Sequence, residues 1–328
     1  MEKLNPKMNL VPNLKDVEKI PSRDGFGHGL VEAGKKNKNV VSLCCDLTDS
    51  TRASWFKKEF PKRFIEVGVA EQNMMGIAAG LSFTGKIPFI SSYAVFNPGR
   101  NWDQLRVSVC YSNANVKIEG AHAGISVGPD GATHQALEDI AITRCLPNLT
   151  VIVPSDAIEA QKATVAACLI KGPVYLRYGR EKVPVITTKK TPFKIGKAYV
   201  YREGKDVAVV ACGILVYEAL IAAEKLQSEG ISVMVINNPT IKPIDKETLI
   251  KAAKKTKAVV TAEEHQIHGG LGSAVSEVLS QNCPVPMRIV GVKDRFGESG
   301  KPEELLKKFG CTSEAIIKSI KEVLKMRK

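Results

Sequence analysis

Nothing in these 328 residues makes an apolar run long enough to cross a bilayer. The opening MEKLNPKMNLVPN also lacks the apolar core of a secretory leader. Acidic residues are outnumbered, 34 against 47 Lys and Arg, leaving a net charge of +13. That excess does not make a nucleic-acid protein. The lysines are spread over helical stretches such as KAAKKTKAV and the C-terminal segment, with no interleaved aromatics and no nucleic-acid motif. Aromatics are few, at 6%, and only five histidines are present. The eight cysteines never form a CxxC pair or a Cys/His metal spacing, which excludes a zinc site of the usual kind and a disulfide scaffold. Reduced thiols and a cytoplasmic location are expected, with Cys110, Cys168 and Cys212 serving as small buried apolar groups.

What is present is an ordinary globular composition, 44% hydrophobic and 25% charged. Apolar strands alternate with helical patterns. Strands are expected over 40–43, 64–67, 88–91, 116–118, 150–153 and 174–177, with helices over 22–36, 72–83, 101–112 and 157–170. This rhythm argues for a parallel sheet covered on both faces. The polar, proline-bounded stretch VPVITTKKTPF, residues 183–193, reads as a link, after which strands recur at 207–211, 232–236, 258–262 and 287–290. The expected class is α/β, with two doubly wound, mainly parallel-sheet domains. Residues 1–20 would be an N-terminal extension, 21–185 the first domain and 186–328 the second.

Two segments carry chemistry. In FIEVGVAEQNMMGIAAGLS, residues 64–82, a lone carboxylate, Glu71, opens a helix rich in Gly and Ala. Small residues at that density suit a tight subunit interface, where a partly desolvated carboxylate would share a proton with a partner. A plainer role for Glu71 is to complement the helix N-terminus. In EGAHAGISVGPDGATHQALED, residues 119–139, His122 and His134 flank Asp130 on a glycine-rich loop. Imidazoles there suit proton transfer near neutral pH. Gly-Pro-Asp-Gly is also an ordinary turn, but a turn does not account for two His and an Asp so close together.

With LPNLTVIVPSD and YLRYGREKVP, these segments resemble the C-terminal half of a transketolase, the part found as a separate subunit in split transketolases. The resemblance runs from about Pro21 to the end and implies a pyrimidine-binding domain followed by a transketolase C-terminal domain. It implies thiamine diphosphate as cofactor, with Glu71 on the aminopyrimidine N1′ and Tyr93 and Phe96 packed on its ring. Asp46 would lie near the cofactor at the subunit interface. His122, His134 and Asp130 would hold the donor sugar's oxygens, and Arg23, Ser50 and Arg180 its phosphate. Arg177 could exchange roles with Arg180. Where the family often has a further aromatic, Gly99 and Arg100 stand, leaving Arg100 as a phosphate or carboxylate contact.

The family's Gly-Asp-Gly, which opens its Mg²⁺ and diphosphate site, occurs nowhere in the chain. A diphosphate needs a hard cation with oxygen ligands or a nest of N–H groups. An N-terminal transketolase subunit is therefore expected to hold the Mg²⁺ and diphosphate, in an α₂β₂ heterotetramer acting on sugar phosphates, with no activity from this chain alone. No metal ligands, nucleic acid or membrane are expected here. In the second domain, AEEHQIHGGLGSAV suggests interface or helix-cap use of His265 and His268, and no catalytic residue is assigned. Alternatives are a 1-deoxyxylulose-5-phosphate synthase-like chain, a 2-oxo acid dehydrogenase beta subunit, or a non-catalytic partner. The paired-histidine loop argues against the beta subunit.

Overall fold

A computed structural model describes residues 4–327. The first half runs β1 (Lys19–Pro21), α1 (Ser22–Lys36), β2 (Val40–Cys44), α2 (Ala53–Glu59), β3 (Phe64–Glu66), α3 (Glu71–Phe83) and β4 (Ile87–Tyr93). It continues through α4 (Trp102–Gln104), β5 (Lys117–Ala121), α5 (Asp139–Arg144), β6 (Thr150–Ile152), α6 (Ala157–Leu169), β7 (Val174–Arg177) and β8 (Lys182–Pro184). The second half has β9 (Tyr199–Arg202), β10 (Val207–Ala211), α7 (Leu215–Gln227), β11 (Val233–Asn237), β12 (Thr240–Lys242) and α8 (Lys246–Thr256). It ends with β13 (Val259–Gln266), α9 (Leu271–Asn282), β14 (Met287–Val292), α10 (Pro302–Lys308) and α11 (Ser313–Lys325).

Strands such as VVSLC and VAVVA are buried at every position, because helices cover both faces of each sheet. The first sheet has the order β12-β6-β7-β5-β4-β2-β3, all parallel except β12, which runs antiparallel to β6. From β2 the chain steps outward to β3 and then crosses back to β4. The carboxyl ends of β2 and β4 therefore flank a topological switch point, where open α/β sheets take ligands. The second sheet, β14-β13-β10-β11-β9, has its own switch between β10 and β13.

Helix α1 lies tightly on α6 because of two glycines. A Cβ at Gly25 would fall 2.0 Å from the Ala157 carbonyl oxygen, and one at Gly29 2.7 Å from Thr164 Cβ. Lys117, wholly buried at the start of β5, gives all three ammonium protons to Asn115 Oδ1, Ile170 O and Gly172 O at 2.7–2.8 Å. Burial pulls its pKa down to about 7. One apolar cluster runs from Leu43, Met74 and Ile118 through Val153 to Ile236, Ile241 and Leu271, so the two halves share a continuous core.

Several sequence expectations shift. The helix expected over 101–112 begins at Trp102 but widens to i→i+5 hydrogen bonding over Leu105–Tyr111. The strand expected at 116–118 is Lys117–Ala121, so it delivers its carboxyl end directly to His122. The described part of the N-terminal extension is fastened down: Asn5 N donates to Tyr201 O at 2.8 Å, Val11 N donates to Ile186 O at 3.0 Å, and Leu14 is buried in the second core. Short edge strands β1, β8, β9 and β12 carry too few residues for a periodic signal.

Candidate active site

The residues singled out in the sequence gather on the carboxyl edge of the first sheet. Ser50 follows β2, Glu71 follows β3, Tyr93 and Phe96 come at and after the end of β4, His122, Asp130 and His134 follow β5, and Arg180 follows β7. Arg23, the second residue of α1, reaches the same edge.

Glu71 is buried although it begins a helix. Its Oε2 accepts from Arg100 Nη1 at 2.7 Å, and the Ser92 hydroxyl approaches Oε1 at 3.4 Å. Asn101 Nδ2, itself bonded to Asn97 Oδ1, donates to the Glu71 carbonyl at 3.2 Å. Arg100 is thus a carboxylate contact, but its carboxylate is this chain's own. Its guanidinium also lies 4.4 Å from the centre of the Phe96 ring.

Phe96 leads to the histidines. Its ring meets His134 edge-on at 5.6 Å, and Tyr93 stacks on His122 at 3.8 Å with the planes 20° apart. Tyr93 therefore presents a face to an imidazole of its own chain. His122 is buried, and burial, with Arg23 and Arg180 nearby, depresses its pKa to about 2. The ring is neutral across the physiological range. Arg23 Nη1 lies 3.4 Å from Nε2. A guanidinium only donates, so Nε2 accepts and the ring proton sits on Nδ1. That Nδ1–H has no partner among the described residues, and so remains a buried donor for an incoming oxygen. His134 Nδ1 pairs with Thr133 Oγ1 at 2.8 Å.

Arg23 also donates to the Ser50 carbonyl at 2.8 Å, while its Nε has no partner among the described residues. Arg180 Nη1 pairs with Asp130 Oδ1 at 3.0 Å and with Val127 O at 3.1 Å. Arg177 ends β7 on this edge, but its side chain is buried and committed elsewhere, with Nε on Asp139 Oδ2 at 2.8 Å and Nη2 on the Glu264 carbonyl at 2.9 Å. Asp46 stands apart on an exposed turn, its N–H held by Glu66 Oε1 at 2.7 Å.

Sequence reasoning missed three carboxylates. Glu66 accepts from Asp46 N, Val67 N, Gly68 N and Thr48 Oγ1, tying together the turns that precede Glu71. Partial burial opposes its ionisation, but these donors outweigh it and hold the pKa below the usual value. Glu119 is fully buried behind the site, with neither oxygen in hydrogen-bond geometry among the described residues. Burial drives its pKa well up, and Ser91 and Arg23 nearby do not offset this. Glu264 comes from the second sheet and accepts from Ser126 N at 2.6 Å. The three-residue strand that ends in Glu66 gives no sign of its role, and nothing local marks the other two.

A model of the transketolase pyrimidine-binding domain matches residues 18–185, and one of the transketolase C-terminal domain matches residues 196–316. The chain belongs to the transketolase family. It is 47% identical to a putative transketolase C-terminal section of Methanocaldococcus jannaschii, over 92% of this chain and 96% of that one. It is 44% identical to a 6-deoxy-6-sulfo-D-fructose transketolase subunit of a Clostridium species, over 92% and 94%. Human transketolase is 37% identical over 98% of this chain, which spans 52% of the human protein. Among solved structures, a split-gene transketolase, described as an inactive beta4 tetramer, superposes with a TM-score of 0.89 at 48% identity, covering 94% of this chain and all (100%) of that one. The relatives carry the names of transketolases and their subunits, and this chain is accordingly one of a thiamine-dependent, ketol-transferring enzyme class.

The family implies thiamine diphosphate, and the residues fit its aminopyrimidine end. Glu71 is a buried carboxylate whose Oε1 has only a long contact, and an aromatic face, Phe96, stands beside its partner Arg100. Among the described residues, no group of three His, Cys, Asp or Glu could hold a metal ion.

Proposed function

We propose that this chain is the C-terminal subunit of a split transketolase. It moves a two-carbon ketol unit from a ketose phosphate to an aldose phosphate with thiamine diphosphate. It acts only with a partner subunit that supplies the diphosphate- and Mg²⁺-binding domain, in an α₂β₂ assembly. Residues 21–185 would hold the pyrimidine and donor sugar, and 186–328 would form the second domain.

The observation that carries this reading is the outward face of α3, the helix that Glu71 begins. On α3, a Cβ at Gly76 or Gly80 would meet nothing of the chain within 4 Å, while Val69, Phe83 and Tyr111 are largely exposed. The helix that a buried carboxylate begins thus turns outward an apolar, small-residue face that the chain leaves uncovered, which suits half a site completed by another subunit. The beta-only tetramer described as inactive for a 48% identical relative supports the same reading.

Within the site, Glu71 would hold the pyrimidine N1′, and Phe96 and Tyr93 would bound its ring, with Asp46 near the partner. Thiamine diphosphate, when bound, supplies the electron sink for breaking and making the carbon–carbon bond. This chain orients the sugar: His122 Nδ1–H donates to the carbonyl oxygen, and His134 and Asp130 take hydroxyls. A preorganised donor of this kind contributes on the order of 3 kcal/mol to the transition state. Arg23, Ser50 and Arg180 would take the phosphate, with Arg100 at the outer rim. The eight cysteines, all unbonded, suit a reducing, cytoplasmic setting.

A coupled assay with xylulose 5-phosphate, ribose 5-phosphate, thiamine diphosphate and Mg²⁺ tests the proposal. Activity is expected when this chain is mixed with an N-terminal subunit and absent from either alone. Turnover by the lone chain, or of pyruvate in place of ketose phosphates, would overturn it. Because 44% and 38% identical relatives bear the names of a sulfofructose and an apulose-4-phosphate transketolase subunit, those sugars belong in the same panel.

A further inference from the structure

The loop after β5 holds itself only by short 3-10 turns over Ile125–Asp130 and a few local bonds such as Gly131 N to Gly128 O at 3.1 Å. His122 has φ +53°, Gly124 +93°, Gly128 +83° and Gly131 +77°. A backbone that turns left-handed so often breaks its local hydrogen bonding, as at Gly128, and leaves other groups to be paired from outside the loop. Ala123 N donates to Tyr178 O at 3.1 Å and Arg180 Nη1 to Val127 O at 3.1 Å, both partners lying just after β7, and Gly124 N donates to Ala136 O of the same loop at 2.9 Å.

Further partners come from the second half of the chain. Glu264 Oε1 accepts from Ser126 N at 2.6 Å, and its carboxyl group fills the space against Gly124, where a Cβ would lie 2.4 Å away. On the other side, Gln135 Nε2 bridges Ile125 O at 3.1 Å to Glu298 O at 2.9 Å, and Pro302 seats on Gly128. Glu264 is itself fixed: it is buried at the end of β13, and its carbonyl accepts from Arg177, which Asp139 holds. With both groups buried, no water stands ready to replace the bond if it is lost.

We propose that Glu264 is a positioning residue, through which the second domain holds the loop carrying His122 and Asp130 in the geometry that binds the donor sugar. The second domain is then part of the substrate site, without touching substrate. The clamp stands on the contacts above; its effect on donor use rests on the ketol-transfer reading.

Two measurements separate these. In the isolated chain, Glu264→Leu should speed hydrogen exchange at the amides of 124–128, 130 and 131 about tenfold or more, the loss expected when a buried N–H is left without its partner. Glu264→Gln keeps an acceptor oxygen and should restore most of the protection. In the reconstituted complex, Glu264→Leu should raise the KM for the ketose phosphate donor about tenfold, with thiamine diphosphate half-saturation nearly unchanged. Gln135→Met, which loosens the opposite side, should move the same two readings, and stands in if Glu264→Leu does not fold. Unchanged exchange would overturn the clamp. Faster exchange with unchanged donor KM would overturn its link to substrate. A wild-type complex inactive on ketose phosphates would overturn the functional reading, and the exchange data would still decide the clamp.

Discussion

Arg100 and Glu71 form an ion pair of 2.7 Å in which the carboxylate is buried and the guanidinium is 45% exposed. The pair ties the start of α3 to the loop between β4 and α4, so the departure from the family's aromatic pattern at Gly99 and Arg100 has a local use. It neutralises the carboxylate that the cofactor reading requires, while Phe96 supports the guanidinium from beneath.

The pair should be energetically coupled. Exposure of Arg100 screens the attraction, so Arg100→Met should lower the stability of the isolated chain by only about 1 kcal/mol. In a double-mutant cycle with Glu71→Gln, the two losses should sum to more than the double variant shows. Thermal unfolding measures both terms, and strict additivity would show that the contact carries no energy. In the reconstituted complex, Glu71→Gln should cost about 100-fold or more in turnover.

Glu119 should make the fold sensitive to alkali. Its folded pKa is raised above the ordinary 4.5, so its contribution is intact below that pH and is lost as pH rises towards the folded value. Each pH unit in that window removes about 1.4 kcal/mol. Glu119→Gln, which carries no titrating proton, should therefore melt above the parent chain by a margin that widens as pH rises above the ordinary carboxyl value. A margin constant with pH would mean that the acid is satisfied in the folded state.

Arg180 should discriminate phosphate. Under the proposed function, Arg180→Ala should raise the KM for phosphorylated donors about tenfold or more, as the loss of a charged hydrogen bond would. An unphosphorylated ketose should be affected little. Equal losses on both would assign Arg180 to holding Asp130 and the Val127 turn, its partners in the structure.

How much of this was legible beforehand varied with distance along the chain. The carboxyl edge of the first sheet followed from strand–helix alternation, and the rule of the switch point brings residues after β2, β3, β4 and β5 together without side-chain information. Glu71, His122 and His134 stood out because each lies in a short, chemically dense segment. Arg177 and Arg180 could not be separated, since only burial distinguishes them and neither is periodic. Glu264 lies 138 positions from Ser126, in a domain whose own pattern says nothing about a loop elsewhere. The i→i+5 widening at Leu105–Tyr111 leaves the apolar pattern close to that of an α-helix and so stays hidden in it.

Strand β12 separates the order of synthesis from the order of assembly. The outer edge of the first sheet is finished by Thr240–Lys242, residues that come after β10, α7 and β11 of the other sheet. While the chain is being made, β6 offers unpaired backbone groups to any passing strand until residue 242 has emerged. The point at which the two family models change over, between residues 185 and 196, is thus a boundary in sequence and not a seam in space. A ribosome that pauses there leaves a sheet with its edge still open.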